Sequence, residues 1–440
     1  MSKLERNLGP FLLWGLGVGY VISGMYFGWN LGLPKGGSLG FSIATFFVMV
    51  MYIAFTFSYT ELACAIPKAG GAFDYANLTL NHHLGYIAGV AQIIEFVFAP
   101  PAIAAAIGAY FHIFFPAIPV LTIAIFAYLV FTALNISGVK TAASFELVVT
   151  IFAVVELLIF AGITLPHFQY SNLEKNPLPN GIAGIFASIP FAIWFFLAIE
   201  GVANVAEEVI NPQKNILIGF GFALLTLVVL CILTFISSVG VSGWESIVYP
   251  EGSSEMSDSP LPLALSFIVG KDSALYHMLI TIGLFGLVAS FHGIILASGR
   301  ATYEFARVGY APKPLGIISP KFHTPANALL ANTGIGILAL LTGKTSEIIT
   351  LACFGALTLY IISMFALLYL HKNHPKIKGS FKVPFFPITP IVALVLAFVS
   401  IVSLFIFNFT IGIFYIIILS IAYSYFYFYL KGKNHVQNSR

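Results

Sequence analysis

Four ionisable side chains lie inside stretches that are otherwise apolar: Glu95, Glu156, Glu200 and His292. A charge at the centre of a membrane helix costs about 2.5–3.5 kcal/mol on insertion scales, so such residues are functional candidates by default. Carboxyls and imidazoles held away from water can load and release protons near neutral pH. Each of the four is therefore a candidate coupling site, set against the plainer reading of a structural residue hydrogen-bonded to a neighbouring helix. Ser290, just before Phe291 and His292, offers a hydroxyl that either joins a cation site or only packs.

Backbone chemistry is suggested at two further places. The stretch Val21-Ile22-Ser23-Gly24-Met25-Tyr26-Phe27-Gly28 puts two glycines and a serine in the middle of the first long apolar run. The stretch Trp194-Phe195-Phe196-Leu197-Ala198-Ile199-Glu200-Gly201 puts a carboxyl and a glycine in a corresponding place of a later run. Gly24, Gly28 and Gly201 alone could be close-packing residues in ordinary helices. Paired interruptions in two halves of a chain instead point to a binding site between unwound helices. Unpaired peptide groups cost several kcal/mol each in hydrocarbon and persist only where they line a cavity and bind something.

The elements that position these residues follow from composition. Of 440 residues, 59% are apolar and 8% charged, against roughly 25% charged in a soluble domain. Such a chain cannot cover its surface with polar groups, so its outer solvent is the lipid bilayer. The net charge of +3 from 20 basic and 17 acidic residues does not suggest nucleic acid. Cys64, Cys231 and Cys353 match no metal spacing, and the odd count argues against a disulfide framework. The first apolar run, from Phe11, is too long for a cleaved signal.

With about 20 apolar residues needed per helical crossing, twelve spans are expected near 11–33, 39–63, 84–114, 120–138, 142–165, 184–206, 216–241, 273–299, 326–342, 346–371, 386–408 and 411–430. An even count puts both termini on one side. If that side is the cytoplasm, every Lys and Arg is cytoplasmic except Lys35, Lys175, Lys271 and Lys344. Lys68, Lys140, Lys214, Arg300, Arg307, Lys313, Lys321, the Lys372–Lys382 cluster and the tail from Lys431 then all face inward, as the positive-inside rule requires. The loop 242–272 is acidic and falls outside. Glu61 and Glu146 lie near expected span ends, which predicts contact with water. His82-His83 reads as a solvated pair, Asn211-Pro212-Gln213-Lys214 as a helix stop, and Tyr423–Tyr429 as an interfacial aromatic belt.

Several motifs, in order along the chain, resemble the amino acid–polyamine–organocation transporter superfamily. Ile22-Ser23-Gly24 resembles its broken first helix. Glu200-Gly201-Val202-Ala203-Asn204, followed by Glu207 to Ile216, is similar to its sixth helix and cytoplasmic exit. Ser298-Gly299-Arg300 with Ala306 to Pro312 resembles the end of helix eight, and His323-Thr324-Pro325-Ala326-Asn327-Ala328 the start of helix nine. Phe27-Gly28-Trp29-Asn30, Glu95 with Phe98 to Ala104, and Phe291 to Ile295 resemble the ethanolamine permease-like branch.

The resemblance implies an all-α polytopic fold, with a five-plus-five inverted repeat over 11–165 and 184–371, helices 1 and 6 broken at the midplane, and two further helices in 386–430. It implies uptake or exchange of amino acids or small amines, coupled to protons or to a counter-substrate. Two departures matter. The lysine that many relatives carry in helix five is Ala153 here, with Glu156 one turn on, so a lysine-based proton mechanism does not carry over. Met25 stands where some ethanolamine-like relatives carry an acidic residue, which weighs against recognition of a bare amine.

Free N–H groups at a helix start attract a carboxylate. The segment Ile22, Ser23, Gly24 and Met25 is accordingly expected to hold a substrate carboxylate, and the carbonyls of Leu197, Ala198 and Ile199, beside Gly201, an ammonium. Similar transporters place an aromatic lid where Trp194 stands, the alternative being an interfacial aromatic. No nucleotide loop, catalytic triad or metal motif is present, so secondary transport is expected, without a cofactor beyond a coupling proton or sodium ion. The leading expectation is a proton-coupled symporter or exchanger for an amino acid. An ethanolamine or small-amine permease is the alternative within the class, and a non-transporting amino acid sensor the alternative outside it.

Overall fold

The computed structural model describes residues 6–137, 142–374, 377 and 379–430. Lys140, Lys376, Lys378 and the tail from Lys431, used above for orientation, lie outside them. Among the described residues there is no strand, only an isolated parallel bridge between Leu8 and Val209. The helices are α1 (Pro10–Val21), α2 (Leu33–Ala65), α3 (His82–Phe114), α4 (Val120–Ser137), α5 (Ala142–Thr164), α6 (Gly181–Ala187), α7 (Ile189–Ile193) and α8 (Pro212–Ser242). There follow α9 (Ala274–Arg307), α10 (Ala326–Leu340), α11 (Thr345–Asn373), α12 (Ile388–Phe407) and α13 (Phe409–Tyr425), with further short helices and turns between.

Nine helices among the described residues are long and apolar enough to cross a bilayer. The other three expected crossings are the interrupted stretches at 10–36 and 181–208 and the 15-residue α10. The long helices are apolar around their whole circumference, which in water would be untenable and in lipid is the norm. α3, α9 and α11 are largely buried within the bundle, whereas α4, α12 and α13 turn most of their surface outward. Phe398, Ile406, Phe409 and Ile421 are among the large apolar side chains left uncovered. The molecule is thus a polytopic all-α membrane protein whose outermost helices present hydrocarbon-compatible surface.

Span one is interrupted in two steps. The α-helical ladder first opens between Gly19 and Ser23, where the Ser290 hydroxyl from α9 donates to the Gly19 carbonyl at 2.6 Å and accepts from the Ser23 N–H at 2.9 Å. A side chain inserted in this way is a recognised cause of a helix kink. The chain then leaves the helix at Phe27, which is extended, and Gly28, at φ +87°. A 3₁₀ turn over Trp29–Gly32 leads into α2, and Gly37 at φ +65° makes the bend between the first and second crossings.

Span six is discontinuous as well. α6 and α7 end at Ile193, residues 194–198 form a turn, and Ile199–Glu208 continues as a 3₁₀ helix. Ala198 sits in the left-handed region at φ +73°. Below these breaks the chain start is fastened to the exit of span six. The N–H groups of Asn7 and Leu8 both donate to the Glu208 carbonyl, and Ile210 N–H donates to the Leu8 carbonyl.

Candidate functional site

The two interruptions touch. A Cβ on Gly24 would overlap the carbonyl of Trp194, and one on Gly28 would overlap its indole nitrogen. Glycine is required at both points, by close approach at Gly24 and also by the positive φ at Gly28. Trp194 is buried, with its ring edge-on to Phe27 at 5.5 Å between centroids. This excludes the interfacial reading and puts the indole over the first break. Its Nε1 has no hydrogen-bond partner.

The peptide groups at the breaks are only partly those expected. The Ser23 N–H is taken by Ser290, so it is not free to bind a carboxylate. The Met25 carbonyl accepts the Trp29 indole N–H at 3.1 Å. The Ala198 N–H donates to Glu95 Oε1 at 3.1 Å, and the Ala198 carbonyl accepts from Gly201. The Leu197 carbonyl, outside any helix, makes no such bond. The correction has a physical cause: a hydroxyl from α9 and a carboxyl from α3 fill positions that a reading of one segment at a time leaves open.

Glu95 and Glu200 come together, both fully buried. Glu95 hangs from α3 one turn before Pro100-Pro101, and α11 presses against that turn through Gly355, where a Cβ would lie 2.9 Å from the Glu95 nitrogen. Tyr360, one turn further along α11, donates to Glu200 Oε2 at 2.9 Å, and its oxygen lies 3.1 Å from that of Tyr52 on α2. Glu95 Oε2 and Glu200 Oε1 find no donor, and each has the other's carboxyl within hydrogen-bonding reach. One shared proton would satisfy two facing carboxyls in a dry site. The chain Glu95–Glu200–Tyr360–Tyr52 thus joins α3, span six, α11 and α2.

The other candidates lie apart from this pair. Glu156 on α5 accepts the Tyr26 hydroxyl at 2.7 Å, and that hydroxyl is also 3.0 Å from the Ala153 carbonyl. Tyr110 donates to the Tyr26 carbonyl at 3.0 Å. Glu156 therefore anchors the part of span one beyond its first opening. His292 meets Glu146 at 3.3 Å between Nδ1 and Oε2. The expectation that Glu146 and Glu61 are wet is wrong. Both are buried, Glu61 accepting from Val383 N–H at 2.7 Å and lying 2.7 Å from His371 Nε2. Span ends drawn from hydropathy say nothing about how deep neighbouring elements cover them. His82 is exposed as expected, while His83 is partly covered and pairs with Tyr423 at 2.9 Å. Tyr52, Tyr360 and Tyr26 escaped the sequence reading, because single tyrosines in apolar runs carry no distinguishing spacing.

Comparison with known proteins bears on the whole chain. The family model described as amino acid permease matches residues 8–432. A methylthioribose transporter of Bacillus subtilis is 28% identical over 421 residues, covering 89% of this chain and 87% of the relative. A branched-chain amino acid permease of the same organism is 24% identical over 433 residues, covering 92% and 89%. An uncharacterised transporter of Rhizobium meliloti is 25% identical over 425 residues, covering 92% and 88%. With the broken spans and the buried acids in place, the match over nearly the full length makes the chain a member of the amino acid permease family, within the amino acid–polyamine–organocation superfamily, and so a transporter and not an enzyme.

Proposed function

We propose that this protein is a secondary active transporter that carries an amino acid across the cell membrane by alternating access around the breaks in spans one and six. The reading takes twelve crossings, with 11–165 and 184–371 as the inverted repeats and 386–430 as the two additional helices, and both termini in the cytoplasm. The observation that carries it is the meeting of the two interruptions, Gly24 lying against the Trp194 carbonyl, with the Leu197 carbonyl of the second break left without a donor. A buried donor and a buried acceptor each cost about 1–3 kcal/mol when unsatisfied. The ammonium of an amino acid offers a donor to the Leu197 carbonyl.

Trp194 is the lid in this reading, opening away from Gly24 and Gly28 to admit substrate. The Glu95–Glu200 pair carries the coupling proton: Glu95 holds the Ala198 N–H of the second break directly, so a change of protonation alters the grip on that backbone. A branched-chain amino acid permease and a methylthioribose transporter both stand among the relatives, so substrate identity is a matter for assay.

The test is uptake into proteoliposomes with a panel of labelled amino acids, ethanolamine and methylthioribose, with and without an imposed pH or sodium gradient. Saturable uptake of one amino acid, accelerated by an inward proton gradient, is the expected result. Uptake of ethanolamine alone, or of methylthioribose alone, overturns the substrate class. Saturable binding without flux for every compound makes the chain a sensor.

A further inference from the structure

We propose that Glu146 and His292 form a second proton-binding site, separate from the Glu95–Glu200 pair, which exchanges its proton through the crevice lined by Tyr20, Glu208 and Arg300. That crevice lies between α1, α5, α9 and the 3₁₀ half of span six, and both residues line it. Its mouth carries the Arg300–Glu208 ion pair, at 2.9 Å and partly exposed on both sides, so the crevice reaches water. Its far end carries Glu146, which is almost completely buried.

Among the described residues, the groups facing the site are as follows. His292 Nδ1 lies 3.3 Å from Glu146 Oε2, and its ring stands edge-on between Phe131 and Phe145. From α4, Asn135 donates its amide to the His292 carbonyl at 3.3 Å. On α5, Thr150 spends its hydroxyl on the Gly15 carbonyl at 3.3 Å. Tyr20 comes from α1, Glu208 from span six, and Arg300 from two turns further along α9. Glu146 Oε1 has no hydrogen-bond partner. A Cβ on Gly19 would lie 2.5 Å from that oxygen and one on Gly293 3.1 Å from it, so the carboxyl occupies room that only glycine leaves.

A buried acid and imidazole make a costly way to join two helices where an apolar pair would serve. Their placement at the end of a wet crevice gives that cost a use. An acid and an imidazole in contact hold one or two protons between them. A bound metal ion is the poorer fit, since hard cations take about six or more oxygen ligands and the corner presents one carboxyl and an already engaged hydroxyl. The position matters to span one: Glu146 Oε1 lies against Gly19, the residue whose carbonyl takes the Ser290 hydroxyl where the ladder opens. Proton occupancy here acts on the first break as the Glu95–Glu200 pair acts on the second. The proton site stands without the transport reading; its use in driving transport rests on it.

The experiment is infrared difference spectroscopy of the purified full-length protein in lipid on a pH step, for the wild type, Glu146→Gln, Glu146→Asp, His292→Gln and Glu200→Gln. The carboxyl C=O stretching signal of the wild type is expected to lose one component in Glu146→Gln and to show it displaced in Glu146→Asp. In His292→Gln that component persists but titrates at a different pH, and in Glu200→Gln it is unchanged. Spectra of Glu146→Gln and Glu146→Asp identical to the wild type overturn the proposal. So does a component that responds to sodium at constant pH and not to protons. Substrate counterflow by the wild type is measured in parallel. Its absence for every compound removes the transport reading while the infrared result still decides the site.

Discussion

A carboxyl that touches a phenol on one oxygen and a second carboxyl on the other has two partners through which to hand on a proton, and Glu200 has both. Replacing it with glutamine keeps an acceptor for Tyr360 and supplies an N–H for Glu95, so the fold survives and the pair is frozen in its protonated arrangement. Glu200→Gln should express normally and lose pH-dependent uptake; a normal pH-dependent flux removes Glu200 as the proton carrier. Glu95 and Glu200 were legible in the sequence because an acid in an apolar run is rare and expensive. Tyr360 and Tyr52 were not, since the chain has 20 tyrosines and nothing in their spacing separates a proton relay from packing. Glu146 was misread for another reason: its depth is set by α9 and α1 closing over it, a tertiary fact with no local signature.

Among the elements, the first break was foreseeable from Ser23, Gly24 and Gly28, but its cause was not, because the inserted hydroxyl comes from a residue far along the chain. The second break shows the converse. Glu200-Gly201 marked the region, yet the residue that takes the left-handed conformation is Ala198, at a cost of roughly 1–2 kcal/mol. The bond from its N–H to Glu95 helps to hold it there, and no single-segment pattern displays that bond. The close approach at Gly24 yields a direct test. Gly24→Ala drives a methyl into the Trp194 carbonyl and should lower stability by about 1–3 kcal/mol and abolish uptake. Gly221→Ala, whose methyl meets nothing within 4 Å on α8, serves as the control and should be neutral or stabilising. Equal melting temperatures for the two variants contradict the packing of the breaks.

For the whole molecule, a loop ties the far end of span one to the start of α11. The Ser257 carbonyl accepts the Asn30 amide at 2.7 Å, and Asp258 accepts the Thr345 hydroxyl at 3.2 Å. Burial raises the Asp258 carboxyl from its ordinary 3.8 to about 6, the Thr345 bond opposing part of the rise. With the folded value above the unfolded one, the stabilisation is present below the ordinary value and is lost as pH rises through about 6. Purified protein should therefore melt about 2 °C higher at about pH 5 than at about pH 7, and Asp258→Asn should remove that part of the difference. A side chain that keeps some contact with solvent calls for a shift of this modest size.

Sidedness is testable at the same scale, because all three native cysteines are buried and give little background. An impermeant thiol reagent on intact cells should label Lys271→Cys and spare Lys321→Cys, both positions being exposed. The reverse pattern inverts the orientation. Composition made the membrane fold plain in the sequence, since no soluble surface can be drawn from 8% charged residues.

The pairing of Asn7 and Leu8 with Glu208 and Ile210 bears on how such a machine can move. It zips the foot of span one to the foot of span six just beneath the crevice mouth. Three main-chain bonds at about 1 kcal/mol each are a modest lock, yet they set a choice. Either the two feet swing outward as one rigid shovel, or the zip opens first and each foot departs alone.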